Sequence, residues 1–135
     1  MRKIVFLLTL MLSGYAYSTA QTTEDSVKST FNLLFEGMKS SDPLILKKAF
    51  ADSAILQTIG RSKEGKTIIR NEKIDAFAES VGKAPKGSLD ERIQFETIKI
   101  DGPLAIVWTP YQFYYDGKFS HCGVNSFQLV RINGE

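Results

Sequence analysis

The 135-residue sequence has little of several residue types on which disulfide-bonded and metal-dependent proteins rely: one cysteine, one histidine and one tryptophan. A single cysteine, Cys122, cannot form an internal disulfide, so packing alone must hold the core. A buried, inert thiol is favoured over an intermolecular bridge or a reactive thiol. The lone histidine falls short of the three or four ligands of a typical zinc site. Phosphate-binding glycine loops and nucleophilic triads are not evident either, so we expect no metal and no cofactor.

An excess of basic charge is also missing once the first 20 residues are set aside. The chain has 17 Lys and Arg against 15 Asp and Glu, and two of the 17, Arg2 and Lys3, precede residue 21. Residues 1–20 hold no acid, so residues 21–135 carry no formal net charge. Proteins that bind nucleic acid usually present a basic face to the phosphates, and we therefore expect no nucleic-acid partner.

The first 20 residues have the three parts of a secretory signal peptide. Arg2 and Lys3 supply the positive charge, residues 4–12 form a nearly continuous apolar run, and small residues lead up to Ala20. The run is far shorter than the ~20 residues that cross a bilayer. We predict cleavage between Ala20 and Gln21, export to the periplasm or out of the cell, and no membrane span after cleavage.

The remaining sequence predicts one α+β domain, because helical periodicity comes first and strand-like alternation last. The predicted helices cover 22–40, a short segment that begins at the N-cap Asp42, and 71–82. Thr23 is the predicted cap of the first helix, and its predicted apolar stripe is Val27, Phe31, Leu34, Phe35 and Met38. The predicted strands cover 54–59, 66–70, 92–100, 104–115 and 118–132. Within 92–100 the alternation slips between Ile93 and Ile98. A β-bulge near Glu96 and Thr97 would return both isoleucines to one face.

Asp116-Gly117 is a strong signal for a two-residue hairpin turn, and it predicts the register of the last two strands. The pairs predicted on one face are Gln112 with His121, Trp108 with Asn125, and Ile106 with Phe127. Buried His121 and Asn125 would need hydrogen-bond partners, and beside a tryptophan they favour a ligand-facing cluster. For His121, an internal network or a solvated rim is an equally good explanation.

The opposite face of the same two strands would carry Val107, Tyr111, Phe113 and Val124. A large apolar surface is costly to leave in water. With the helices on the first face, this surface predicts a homodimer that forms through the sheet.

Asn133-Gly134 is a second strong hairpin signal, directly after the last predicted strand. We expect this turn to lead into a further strand, so that the domain over 21–135 lacks its final strand. The open edge of 118–132 would then lower stability and favour aggregation.

The order of the elements and three segments resemble the nuclear transport factor 2-like (NTF2-like) superfamily. The segments are LKKAFADSAIL (46–56), GRSKEGKTIIRNEKIDAFAESVGK (60–83) and IKIDGPLAIVWTPYQFYYDGKFSHCGVNSFQLVRINGE (98–135). The similarity is greatest to the SnoaL-like or lumazine-binding-like branch of exported bacterial proteins. The resemblance implies a cone-shaped fold, in which three helices pack on a strongly curved antiparallel sheet, with a pocket at the open end. It also implies frequent homodimers.

The resemblance does not imply catalysis. The Tyr–Asp pair of ketosteroid isomerases and the Asp–Arg–Asp set of epoxide hydrolases have no clear counterparts. Leu56, Gln57 and Thr58 stand where an acidic base would be expected, and none is an effective base at neutral pH.

Three functions stay open: an exported protein that binds a small, mostly apolar molecule, a small enzyme, and an interaction module with a vestigial pocket. The enzyme would be an isomerase, cyclase or hydrolase-like protein with His121 as general acid or base. The missing carboxylate base favours the first function. The candidate ligand contacts are Trp108, Gln112, His121, Asn125, Phe127 and Gln57.

Overall fold

The computed structural model describes residues 22–133, and the predicted signal segment lies outside them. The helices are α1 (Thr23–Ser40), α2 (Pro43–Lys47) and α3 (Ile74–Lys83). The strands are β1 (Leu56–Arg61), β2 (Thr67–Glu72), β3 (Leu89–Ile93), β4 (Thr97–Asp101), β5 (Leu104–Tyr115) and β6 (Lys118–Val130). The predicted architecture, three helices with an antiparallel sheet, is confirmed. None of the helices in the described residues has both the length and the hydropathy that a membrane crossing requires.

Helix α1 begins where a side chain can bind the free N–H groups of its first turn. The Thr22 hydroxyl accepts a hydrogen bond from the Asp25 N–H, and the Asp25 carboxylate accepts one from the Thr22 N–H, which forms a capping box. The cap is one residue earlier than the sequence suggested. The apolar stripe of α1 is buried, and its members are Val27, Phe31, Leu34 and Met38. The core has two clusters of buried residues, and α1 contributes to both. Val27 and Phe31 pack in the cluster that includes β5, while Leu34 and Met38 pack in the one that includes α2 and α3.

Helix α2 packs against α1 at very short range. Asp42 caps it as predicted, by accepting hydrogen bonds from two backbone N–H groups of the first turn. Leu46 is fully buried, and a Cβ at Gly37 of α1 would lie 2.5 Å from the Leu46 backbone nitrogen. Glycine at position 37 is therefore what allows the two backbones to meet. Helix α3 starts at Ile74, later than predicted, because Asn71 belongs to β2.

Strand β5 is the centre of the main sheet. Strands β3 and β4 pair in turn with one side of β5, strand β6 pairs with its other side, and β1 and β2 form a separate hairpin. Ile93 lies opposite Tyr111, and Ile98 lies opposite Val107. The segment from β3 to β4 therefore has one residue more than the facing segment of β5. The predicted β-bulge is thereby confirmed, and it places Ile93 and Ile98 on the same face.

The predicted register of β5 and β6 is wrong beyond the first two pairs. The turn itself is confirmed: Asp116 (φ 50°) and Gly117 (φ 75°) are both left-handed, and Tyr115 pairs with Lys118. A β-bulge then leaves Ser120 without a partner on β5 and shifts every later pair by one residue. In the shifted register Gln112 lies opposite Cys122, Trp108 opposite Ser126, Thr109 opposite Asn125, and Val107 opposite Phe127.

The shift reassigns the two faces of the sheet. The inner face, which packs on the helices, carries Val107, Thr109, Tyr111 and Phe113 from β5 and His121, Gly123, Asn125 and Phe127 from β6. The outer face carries Trp108, Gln112, Cys122 and Val124, all exposed. Val107 is only 2% exposed. Of the surface from which a homodimer was expected, Val107 and Phe113 therefore pack in the core, Tyr111 lies on the same inner face, and Val124 is exposed on the outer face.

The second edge of β6 is open: within residues 22–133 no strand pairs with it. Asn133 has a positive φ of 52°, close to that of Asp116 in the β5–β6 turn. Gly134 lies outside the described residues, so the further turn and strand stay a prediction.

Candidate functional site

The inner face holds a polar cluster that joins both edges of the sheet across β5. Asn125 of β6 donates a hydrogen bond from Nδ2 to Oε1 of Glu91 on β3, at 2.7 Å, and both side chains are half-buried. Glu91 lies opposite Phe113, and Asn125 lies opposite Thr109. The pair therefore spans the central strand beside aromatic side chains, where a hydrogen bond is electrostatically stronger than in water.

Tyr111 and His121 complete the cluster. Gly123 lies opposite Tyr111, and a Cβ on Gly123 would stand 2.8 Å from the Tyr111 hydroxyl. The glycine thus makes room for the tyrosine ring, whose hydroxyl reaches over β6. The exposed His121 ring packs at 5.1 Å from Phe113 and at 5.8 Å, edge to face, from Tyr111. Its Nδ1 lies 3.1 Å from the Ser120 hydroxyl, so the bulge residue orients the imidazole.

The environment shifts two pKa values in this cluster. Burial raises the pKa of the Glu91 carboxyl above its ordinary value, and the Asn125 hydrogen bond and the His121 charge only partly oppose it. Burial also raises the pKa of Tyr111, and the negative charges on Glu91 and Cys122 add to the effect. Glu91 is therefore a carboxyl group that exchanges a proton at a higher pH than an exposed glutamate does.

Thr109, which lies opposite Asn125 on the inner face, has a buried hydroxyl group. Its side chain is fully buried, and Oγ1 has no hydrogen-bond partner among the described residues. Buried polar groups are nearly always paired. The inner face therefore carries polar groups beyond what the packing of the core itself requires.

An open cavity lies beside Glu91, between α1 and the start of the main sheet. Its volume is about 640 Å³, within the range of roughly 300–1,000 Å³ that is usual for small-molecule sites. Phe35 and Ile93 give it apolar walls, Glu91 gives it a carboxyl, and Lys39 and Lys86 lie among its lining residues. Glu91 is thus shared by the cavity and the polar cluster.

The rim of the cavity is held by an ion-pair network. Asp90 contacts Lys39 Nζ at 3.0 Å and the Arg92 guanidinium at 2.9 Å. Burial disfavours the charged form of Asp90, yet the hydrogen bonds from Lys39 and Arg92 outweigh it and lower the pKa of this carboxyl. The Arg92 guanidinium also lies 4.0 Å over the Tyr114 ring. The network ties the C-terminal part of α1 to β3. In the described part of the chain, no three His, Cys, Asp or Glu side chains converge as a metal site would require.

The structure brings together only part of the predicted ligand-binding set. His121 and Asn125 lie in the cluster, while Phe127 packs at 4.6 Å from Phe31 inside the core. Trp108 and Gln112 are on the outer face because of the bulge at Ser120. Gln57 is exposed on β1, where it donates a hydrogen bond to Asn71 at 2.9 Å, outside the cluster.

Glu91 is the functional candidate that the sequence reasoning missed. It shares strand parity with Leu89, Ile93 and Phe95, so it is a charged residue at an apolar position of the alternation. That pattern is the signal that could have identified it. Its presence on the inner face supplies a carboxyl group on the same face as His121, where the sequence predicted no acidic base.

Comparisons with known proteins support the fold. No protein-family model matches the chain, and a search of curated proteins gives no match. Among solved structures, the chain is similar to an NTF2-like protein of unknown function from Shewanella baltica OS155. The TM-score is 0.64 with 18% sequence identity, over 86% of this chain and 90% of that chain. The protein therefore has an NTF2-like α+β fold, with three helices and a curved antiparallel sheet.

Proposed function

We propose that this protein is exported and binds a small, mostly apolar molecule in the cavity between α1 and β3. The observation that carries the proposal is the Glu91–Asn125 hydrogen bond of 2.7 Å, held on the half-buried inner face beside a cavity of about 640 Å³. Small-molecule sites typically combine apolar walls with a few well-placed polar groups. Export is proposed from the signal-like residues 1–20.

The chemistry of the lining residues indicates how a ligand would be oriented in the cavity. Phe35 and Ile93 would cover the apolar body, and the Glu91 carboxyl would meet one polar group. Because burial raises its pKa, Glu91 takes up a proton more readily than an exposed glutamate, and in that form it donates to a carbonyl or ether oxygen. Asn125 fixes the carboxyl in place, which lowers the entropy cost of that contact.

A fluorescence titration with the neutral apolar dye Nile red tests the proposal. Asn32 and Leu33 are neighbouring exposed residues of α1, but only Asn32 lines the cavity. We expect Asn32→Trp to fill the mouth of the cavity and weaken dye binding by about tenfold or more, which corresponds to roughly 1.4 kcal/mol. Leu33→Trp, the matched control, should bind like the unmodified protein. Equal binding by the two variants would contradict the site.

A second candidate function is an enzyme that moves a proton. Glu91 favours this function, because it has a raised pKa and lies on the same face as His121. Incubating the protein with its bound ligand in D₂O tests this candidate by mass spectrometry. Deuterium gained at carbon in the unmodified protein but not in Glu91→Gln or His121→Gln would support an enzyme. No gain would leave binding as the function.

A further inference from the structure

The β1–β2 hairpin and the residue after it carry a concentration of positive charge. Residues 61–73 contain two acids and five Lys or Arg, whereas residues 21–135 as a whole carry no formal net charge. The five cations are Arg61, Lys63, Lys66, Arg70 and Lys73. Within residues 22–133 none of the five forms an ion pair. The hairpin is therefore a basic surface on a domain whose other residues have an excess of acids.

One face of the hairpin is both apolar and exposed. Ile59 lies directly opposite Ile69, and the two side chains are 75% and 63% exposed. Arg61 lies on the same face toward the turn, where its guanidinium donates a hydrogen bond of 3.1 Å to a turn carbonyl. Gln57 and Asn71, at the other end of this face, are hydrogen-bonded to each other. This isoleucine face thus combines two exposed apolar side chains with a cation and has no acid within the two strands.

The opposite face of the hairpin is less open. Leu56 and Ile68 lie on it, and both are half-buried. The Arg70 guanidinium lies over Gly60, since a Cβ at position 60 would stand 2.7 Å from Nη2 of the arginine. A partner of the hairpin would therefore meet the isoleucine face, because that face leaves its apolar side chains in water.

We propose that the isoleucine face binds an anionic lipid surface. Peripheral membrane segments combine apolar side chains that enter the acyl boundary with cations that attract anionic lipids. Ile59 and Ile69 supply the apolar part, and the exposed Arg61, Lys63 and Lys66 supply the charge. Nucleic acid is a poorer match, because residues 55–73 contain no aromatic side chain on which a base could stack. The hairpin does not line the proposed ligand cavity, so this surface does not depend on it.

Tryptophan fluorescence with brominated vesicles tests the proposal, because bromine on the acyl chains quenches a tryptophan that enters them. The test variant is Ile59→Trp, and the matched control is Leu44→Trp, since Leu44 of α2 is 74% exposed. The unmodified protein gives the emission of Trp108 for subtraction. With equal parts of phosphatidylglycerol and phosphatidylcholine, we expect Ile59→Trp to be quenched by about half or more and Leu44→Trp to be unchanged. The readout is local, so it does not depend on whether residues 1–20 are still attached.

A charge reversal tests the electrostatic part. Each cation near an anionic membrane contributes about fivefold in affinity. Lys63→Glu with Lys66→Glu, added to Ile59→Trp, should therefore raise the lipid concentration for half-maximal quenching by about 25-fold or more. The matched control reverses Lys99 and Lys118, two exposed lysines of the main sheet, and changes the net charge equally. Because salt screens distant charges, this control should shift the midpoint by less than about threefold.

Far-ultraviolet circular dichroism should show every variant folded, because all the changed side chains are exposed. The proposal would be overturned if Ile59→Trp stayed unquenched, or if vesicles of phosphatidylcholine alone quenched it equally. Equal quenching of Leu44→Trp would overturn it too, as would a lysine reversal with no more effect than its control. A lipid-free dimer that the Lys63 and Lys66 reversal dissociates would make a second copy the occupant instead of lipid.

Discussion

Replacing Thr109 with valine should stabilise the protein. The side chain is fully buried on the inner face of β5, and its hydroxyl has no hydrogen-bond partner among the described residues. A buried polar group without a partner costs about 1–3 kcal/mol. Valine has the same branched shape, removes the hydroxyl, and keeps the β-branched geometry that suits a strand.

The expected gain in the free energy of unfolding is about 1–2 kcal/mol, since relaxation around Thr109 recovers part of the penalty. Urea denaturation measures it: the midpoint should rise by roughly 0.5–1 M, with an unchanged slope. The exposed Thr58 of β1 supplies the control, because Thr58→Val should change stability by less than about 0.5 kcal/mol. A lower midpoint for Thr109→Val would mean that the hydroxyl is hydrogen-bonded in solution and that the reasoning is wrong.

Three further predictions concern other parts of the chain. Burial holds the pKa of Glu91 above its ordinary 4.5, so the folded state keeps this proton longer than the unfolded chain, and stability falls as pH rises from 4.5 through the folded pKa. Glu91→Gln should remove that fall, so melting curves across pH should show the variant gaining on the unmodified protein; parallel curves would contradict this. Gly37→Ala should destabilise strongly, by about 3 kcal/mol or more, because its Cβ would lie 2.5 Å from the Leu46 backbone nitrogen; a melting temperature within about 2 °C would refute the close approach. When the full chain is expressed in a bacterium with a secretory pathway, N-terminal sequencing of the exported protein should begin at Gln21, and an intact Met1 would refute the signal.

The sequence predicted the elements better than it predicted their pairing. The stripe of α1, the cap at Asp42 and the turn at Asp116-Gly117 each depend on neighbouring residues, so local patterns were sufficient. The bulge in the 92–100 segment was also predictable, because it changes which side of the strand is apolar. The bulge at Ser120 produces no such change in the pattern of apolar residues, because polar and apolar residues alternate imperfectly along β6. Nothing in the local sequence marks it.

The extra residue at Ser120 is the reason that the predicted ligand-binding residues do not form one cluster. Without the bulge, Trp108 and Gln112 would share a face with His121 and Asn125; with it, they lie on opposite sides of the sheet. The Glu91–Asn125 contact joins residues 34 apart in sequence. Such a contact depends on the order of three strands, and sequence periodicity carries no information about that order.

We propose a ligand site on the inner face, at Glu91 and Asn125, and not on the outer face at Trp108. Two nuclear magnetic resonance signals report on the two faces: the Asn125 side-chain amide, and the indole N–H of the chain's one tryptophan. During a titration with Nile red, we expect the Asn125 amide signal to shift with the same dissociation constant as the dye fluorescence. The indole signal should stay in place. A shifting indole signal with an unchanged Asn125 amide signal would place the dye on the outer face and contradict the proposed site.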